Sequence, residues 1–493
     1  MRTMKFGSAV SSQSITMSVG KKRVTWCSLV VTIMMVCGVV FGGVATAQPV
    51  IPGLPGGPPI VLPTIPELLD QIVPKPEFTV PSEIPPVAEL SPEDQLDSDL
   101  TAIQGARLAM MPPDVRDSFF NDYPVNLADF ANGQIIESRD ITMTAAPFVG
   151  APVERVVQVK FRSNDASNQP SFGTASLVIP AIPWSGDGAR PVLVNNLPIN
   201  GLGRDCTPGY TMANGLSLKT GVTDYIPPVT AWAANKGYAV LIPDHEGPRM
   251  AYAVTKVAGH VILDSVRAMR NLLPDQFGES KVAMQGYSGG AIATNGAAKL
   301  INSYAPELGG EDPVIVGAAV GGTPIDMAVL TQSLNGTVNA AKGVEVAAGM
   351  GVSREYPEIV PELGNTALQA GPILRGECIV SMALLGLAPV DLQVLTTLDD
   401  PFRSDLARRI YADNKMEGVA YGTPLFVYNG NEEFWIPRVM AQDLFAEQCA
   451  LGVPSVLRLP FGEHAIAAFT GLPDLAVWLD QRLGGIPAPS ECW

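Results

Sequence analysis

Short apolar runs recur along the chain from about residue 155, and the segments between them carry helical patterns. Arg155–Arg162 and Phe172–Ile179 read as opening strands. Pro191–Asn196, Gly237–Pro243, Lys281–Gly286, Val314–Val320, Pro424–Tyr428 and Ser455–Leu459 read as central strands. Several of these are continuous apolar runs, the composition of a strand covered on both faces. Helices fit between them at Val229–Lys236, His260–Leu273, Ala291–Ser303, Arg438–Leu451 and Asp474–Leu483. The alternation predicts an α/β protein with a mostly parallel central sheet and crossover helices. Between Asp326 and about Glu417 the alternation stops, and Gly and Pro interrupt a mainly helical stretch. We read residues 327–415 as an inserted helical subdomain dividing a core of residues 99–326 and 416–493. No internal repeat is evident.

The first 98 residues follow other rules. A basic stretch ends at Lys21-Lys22-Arg23, an apolar run extends from about Val24 to Val44, and Ala45-Thr46-Ala47 closes it. This predicts a secretion signal over residues 1–47, cleaved before Gln48, with a retained membrane anchor as the alternative because the run is long. Thirteen prolines lie between Gln48 and about Glu93, which predicts an extended spacer over residues 48–98 without chemistry of its own. Of the 493 residues, 47% are apolar and 16% charged, and the net charge is −16. No basic surface exists to hold a polyanion, so nucleic-acid binding is excluded, and no protein partner is implied. Residues 1–47 carry five Lys/Arg and no Asp/Glu, so their removal leaves −21. An acidic surface favours solubility outside the cell.

The chemistry centres on Gly286-Tyr287-Ser288-Gly289-Gly290, a G-x-S-x-G match. With 48 glycines in the chain, chance supplies on the order of 0.3 such matches at this length, so context must decide. A buried strand ends at the motif and a helix follows it, the arrangement of a nucleophile elbow, whose tight turn admits only small residues two places before and after the serine. A serine needs a base, and the chain has three histidines. The order serine, acid, histidine excludes His245 and His260, which precede Ser288, and leaves His464. That residue follows the last strand in Pro460-Phe461-Gly462-Glu463-His464, read as a loop leading to the C-terminal helix. The acid belongs on the loop after Pro424–Tyr428, which contains no Asp. Glu432 and Glu433 are both candidates, with Asp443 a distant third. The backbone N–H of Gly289 supplies one oxyanion donor, and the loop after Pro191–Asn196 is the place for a second.

These residues resemble the secretory lipases of the fungal lipase A type, α/β-hydrolases with a helical cap inserted in the core. The resemblance rests on Gly286 to Gly290 with the following Ala291, Asp244-His245-Glu246-Gly247, Ile262 to Ala268, Gly321-Gly322-Thr323-Pro324, Glu447-Gln448-Cys449-Ala450 and Glu463-His464, over roughly residues 105 to 485. In that family the acid stands four places before a proline in an Asp-x-x-Val-Pro pattern; carried onto this chain, the place is Glu433 before Pro437, an Asp-to-Glu departure. The second oxyanion donor carries over to Asn200, where the family often has Asp, and an amide can donate without first being protonated. Cys27 and Cys37 lie in the signal, and the resemblance pairs the remaining four cysteines as Cys206–Cys378 and Cys449–Cys492. Neither a metal nor another cofactor is expected, because the cysteines lack close pairing and no His-x-x-x-His occurs.

The expected function is therefore a secreted serine hydrolase cleaving carboxylic esters, a lipase or broad esterase, through an acyl-enzyme on Ser288. Its partner is a lipid or ester substrate, taken at a lipid–water interface. Tyr287, Leu384 and Leu387 are expected to contact that substrate, the leucines as the lining of an acyl tunnel. The alternatives are an acyltransferase acting on cell-envelope lipids and a non-catalytic lipid-binding module on a hydrolase fold.

Overall fold

The computed structural model describes residues 50–51, 60–61, 65–78, 98–216, 219, 228–334, 337–388 and 392–492. The expected signal and most of the expected spacer lie outside the described residues.

Nine strands form the central sheet: β1 Ile135–Asp140, β2 Val153–Asn164, β3 Pro170–Pro180, β4 Val192–Asn196, β5 Ala239–Pro243, β6 Val282–Tyr287, β7 Ile315–Gly321, β8 Leu425–Tyr428 and β9 Ser455–Arg458. Their order is β9-β8-β7-β6-β4-β5-β3-β2-β1. The pairings of β1 with β2, β2 with β3 and β3 with β5 are antiparallel, and those from β5 to β9 are parallel. Side chains alternate between two buried faces: Val192 and Val194 join one apolar cluster and Leu193 the other, as Val282 and Met284 are set against Ala283. That two-sided burial is why the central strands read as unbroken apolar runs.

One face is covered by α4 Thr255–Leu272, α5 Gly289–Tyr304 and α11 Val439–Ala450, and the other by Thr142–Val149, α3 Val229–Asn235 and α13 Leu472–Leu483. Helix α4 begins at Thr255, five residues before the expected start. A Cβ on its Gly259 would lie 2.8 Å from the backbone of Gly296, so the glycine permits α4 and α5 to cross closely. Strand β1 was not anticipated. Its sequence Ile-Ile-Glu-Ser-Arg-Asp is half exposed at the sheet edge and carries no apolar run.

Between β7 and β8 lie helices α6 Met327–Leu334, α7 Ala340–Glu355, α8 Asn365–Leu374, α9 Ile379–Leu385 and α10 Asp405–Lys415. The expected spacer departs from an extended form at α1 Ile65–Ile72. Ile65, Leu68, Leu69 and Ile72 recur at helical spacing, and proline is confined to the first turn, where a missing N–H costs nothing. Leu69 and Val73 are buried, and Asn365 donates its backbone N–H to Asp70 Oδ1 at 2.8 Å and its side-chain amide to Val73 O at 2.9 Å. A second helix, α2 Ser98–Met110, also packs on α8.

Strand β5 lies on one side of β4 and β6 on the other, so the chain crosses over β4 between them. The carboxyl ends of β4 and β6 therefore flank a switch point, where open α/β sheets form their ligand crevice. Asn200 follows β4, and Ser288 follows β6.

Candidate active site

Ser288 is the single residue between β6 and α5, with φ 55° and ψ −121°. A non-glycine residue in this conformation stores about 1–3 kcal/mol and persists only where its surroundings enforce it. Its N–H donates to Gly321 O at 2.9 Å, and its carbonyl accepts from Ala291 N at 2.9 Å. A Cβ on Gly286 would fall 2.0 Å from Gly290 O, and one on Gly290 would fall 1.9 Å from Asn196 O. Both flanking glycines are thus required by the turn. The N–H groups of Gly289 and Gly290 begin a 16-residue helix and have no preceding turn to bond to, which leaves partial positive charge beside the serine.

The loops after β8 and β9 bring an acid and an imidazole to the same edge. Asn429 closes the first loop: its Oδ1 accepts from Thr323 N at 3.0 Å, and its Nδ2 donates to Ile436 O at 3.2 Å. Inside that loop the Glu433 side chain is fully enclosed. One oxygen accepts from the N–H groups of Trp435 and Ile436 at 2.8 and 3.1 Å, and the other meets His464 Nδ1 at 2.9 Å. The Trp435 indole stacks on the imidazole, with centroids 5.6 Å apart.

His464 is the first residue of α12 His464–Thr470 rather than part of a loop. The preceding Glu463 caps this helix, its carboxylate accepting from Ala465 N and Ile466 N, both at 3.1 Å. Gly322, with φ +52°, places backbone against the ring: a Cβ there would lie 2.7 Å from His464 Cε1. Because Gly321 holds the Ser288 N–H, the histidine and the serine share this one support. Glu432 and Asp443 do not reach the imidazole. Glu432 is exposed and accepts from Gly462 N at 2.7 Å, and Asp443 is exposed on α11.

On the opposite side, Asn200 is buried with φ 47°. Its Oδ1 would lie 1.9 Å from a Cβ on Gly289, so its amide and the Gly289 backbone are neighbours. The segment that carries it is held from Asp244 and His245, beyond β5. Asp244 accepts from Gly209 N at 2.8 Å and from Thr174 Oγ1 at 2.6 Å, and burial pushes its carboxyl up to about 6. His245 Nε2 donates to Leu197 O at 2.8 Å, and burial lowers it to about 4, which keeps the ring neutral. A bridge joins Cys206 at the end of this loop to Cys378 in front of α9; another joins Cys449 to Cys492.

Tyr287, expected to face substrate, is buried beneath the site. Its hydroxyl donates to the backbone oxygen of His464 at 2.6 Å, which makes it a support of the histidine. Leu384 and Leu387 are not enclosed as a tunnel lining: they are 63% and 51% exposed. Helix α9 turns Ile379 and Met382 into the fold and leaves Val380 and Leu384 on the opposite face, and Leu387 lies exposed in the turn that follows the helix. His260 is buried against the Tyr304 ring, away from the serine's partners. Sequence reasoning missed Trp435 and the role of Gly322, although Trp435 stands two places after the acid and Gly322 within a double glycine.

A sheet in this order, a strained serine at the strand-to-helix turn and a carboxylate-held histidine define an α/β-hydrolase. The sequence profile of the secretory lipase family matches residues 213–491, and the chain belongs to that family. Lipase A of Moesziomyces aphidis is 30% identical over 406 residues, spanning 78% of this chain and 84% of that protein. Lipase 5 of Candida albicans is 29% identical over 402 residues, spanning 76% of this chain and 82% of that one. The X-ray structure of Candida antarctica lipase A aligns with a TM-score of 0.67 at 27% identity, over 76% of this chain and 87% of that chain. A cell-wall-degrading esterase of Xanthomonas oryzae, at 18% identity and a TM-score of 0.55, shares the fold. The chain is accordingly a carboxylic ester hydrolase of lipase type.

Proposed function

We infer that the protein is an exported lipase that cleaves carboxylic esters through an acyl-enzyme on Ser288. The observation that carries this reading is the Glu433–His464 pair, bonded at 2.9 Å beside a serine held in a conformation it would not otherwise adopt. His464, fixed by Glu433 with its proton on Nδ1, presents Nε2 to take the Ser288 proton and later returns it to the leaving alcohol. The tetrahedral oxyanion is received by the Gly289 N–H at the start of α5. The Asn200 amide joins it when a half-turn about its last torsion presents NH₂ in place of Oδ1. Water then attacks the acyl-enzyme by the same proton path.

Export is supported by the basic, apolar and small-residue pattern of residues 1–47 and by the secretory family to which the chain belongs. A relative from Malassezia restricta, 25% identical over 398 residues, is named a secreted triacylglycerol lipase. Among the described residues no helix is long and apolar enough to cross a membrane. A lipid surface is supported as the site of action by Phe434, Phe461, Ile466 and Phe469, all exposed on the two segments that carry Glu433 and His464. The helical insertion between β7 and β8 serves as a cap, with residues 327–415 as its bounds.

The test is fluorophosphonate labelling together with p-nitrophenyl esters of increasing chain length. Labelling at Ser288 and turnover that rises beyond butyrate are expected. Ser288→Ala should remove both, a loss of roughly 10⁴ to 10⁶ in rate. Labelling of that variant at the wild-type level would overturn the assignment.

A further inference from the structure

Asp244, His245 and Glu246 are consecutive, buried, and aimed at one loop, residues 197–209 after β4. Asp244 and His245 are ordinary pins, each hydrogen-bonded to a backbone group of that loop, Gly209 N and Leu197 O. Glu246 is different. It is 2% exposed, and among the described residues neither carboxylate oxygen has a well-aligned hydrogen-bond partner. It faces the backbone N–H groups of Asn200 and Gly201. The nearby cation Arg354 gives its hydrogens elsewhere, to the carbonyl oxygens of Met110, Leu202, Arg249, Met250 and Arg375 at 2.9–3.1 Å. Burial pushes the Glu246 carboxyl well above its ordinary range, with Arg354 and the two N–H groups pulling the other way.

A buried carboxyl in such surroundings costs stability, and an apolar side chain of the same volume would not. What it faces accounts for its presence. Asn200 holds φ +47°, a left-handed conformation that asparagine enters more readily than other side chains, and its surroundings decide whether it is kept. Were the residue to relax to negative φ, its N–H would turn from Glu246 and its side chain would swing from Gly289. We propose that Glu246 is the positioning residue of the oxyanion hole: it fixes the Asn200 backbone so that the amide stays against Gly289. Arg354 grips the next carbonyl, Leu202 O, so the loop is held on both sides of Gly201. This rests on the reading of Asn200 as an oxyanion donor.

A double-variant cycle tests it, with kcat and KM for p-nitrophenyl butyrate measured in each background. Asn200→Ala is expected to lower kcat roughly 100-fold, the loss typical of one oxyanion donor. Glu246→Gln removes the carboxylate charge and one of the two acceptor oxygens facing the Asn200 and Gly201 N–H groups; it is expected to lower kcat roughly 10- to 100-fold with KM within about twofold. In the Asn200→Ala background the same change should cost less than about threefold, because a residue that acts through another has nothing left to position. Glu246→Asp, which withdraws the carboxylate by one methylene, goes through the same cycle, and thermal melts check that each variant is folded. An undiminished Glu246 effect in the Asn200→Ala background, for either substitution, overturns the positioning role. An Asn200→Ala variant with wild-type kcat overturns instead the oxyanion reading beneath it.

Discussion

Replacing Glu433 by Gln tests the acid assignment against its neighbour one residue away. Three donors converge on the Glu433 carboxylate: Trp435 N, Ile436 N and His464 Nδ1. Glutamine supplies one oxygen and one NH₂. The oxygen stays with the two backbone N–H groups, because turning the amide over would leave both of them buried and unpaired, at about 1–3 kcal/mol each. The NH₂ then faces Nδ1, which can answer only by becoming an acceptor, and this moves the imidazole proton to Nε2. A ring with its proton on Nε2 cannot take one from Ser288. The expected loss in kcat is therefore that of a wrong tautomer, about 10⁴-fold or roughly 5 kcal/mol, and not that of one weakened hydrogen bond. Glu432→Gln should cost less than about threefold, since that carboxylate is exposed and holds only Gly462 N and the Asn431 amide. Initial rates on p-nitrophenyl butyrate, with near-ultraviolet circular dichroism to check packing around Trp435, measure both. Equal effects of the two changes, or a Glu433→Gln loss below tenfold, would refute the tautomer argument.

Three further outcomes follow from other parts of the molecule. Gly322→Ala should strain a residue at φ +52° and press a methyl against His464 Cε1. We expect kcat to fall about 10- to 100-fold with about 1–3 kcal/mol lost in stability, and wild-type kinetics would show that the ring has room. The two bridges close separations of 172 and 43 residues, worth about 5 and about 4 kcal/mol in the chain-entropy account. Cys449→Ser with Cys492→Ser should thus lower Tm by several degrees, and non-reducing peptide mapping that joined Cys206 to Cys449 would contradict both pairings. Glu345 on α7 is half-buried with both carboxylate oxygens enclosed, and burial pushes its carboxyl up to about 7, so the folded chain keeps its proton where the unfolded chain has lost it. Its contribution is undiminished below about pH 4.5 and is lost as pH rises toward 7, about 3 kcal/mol in all; Glu345→Gln should raise the urea midpoint at pH 8 and leave it nearly unchanged at pH 4.5, and identical midpoints at pH 8 would count against it.

Much of the core was legible because its causes are local. A strand covered on both faces shows as an unbroken apolar run, and Val282–Tyr287 ends where the sterics of the turn demand Gly286 and Gly290. His464 was singled out by elimination among three residues, and the structure sets its ring against Glu433. Glu432 and Glu433 could not be told apart by their own chemistry, because which of two adjacent side chains turns inward is decided by Asn429, which closes the loop through Thr323 and Ile436. Helix α1 was hidden by the prolines around it. Its helical spacing is short, and it is held by Asn365, nearly 300 residues away. Leu384 and Leu387 show the limit of apolar content as a guide, since one short helix carries both a buried and an exposed apolar face and the turn after it is exposed as well.

The two halves of the site differ in how their geometry is specified, and this bears on how each fails. The serine turn is built by the residues that flank it, and the acid and histidine loops are short and mostly held from within. The Asn200 loop has no such autonomy. It is held by Asp244, His245 and Glu246 from beyond β5, by Arg354 from α7, and by Cys378 through the bridge to Cys206. Its Leu202 N–H donates to Glu377 O at 2.9 Å, so the segment before α9 grips it as well. Two of these supports, Arg354 and the 377–378 segment, belong to the insertion between β7 and β8. A displacement of that insertion therefore reaches the oxyanion side before it reaches Ser288, Glu433 or His464. Substitutions at Arg354 should accordingly lower kcat while fluorophosphonate still finds the same serine, a separation that changes within the triad cannot produce.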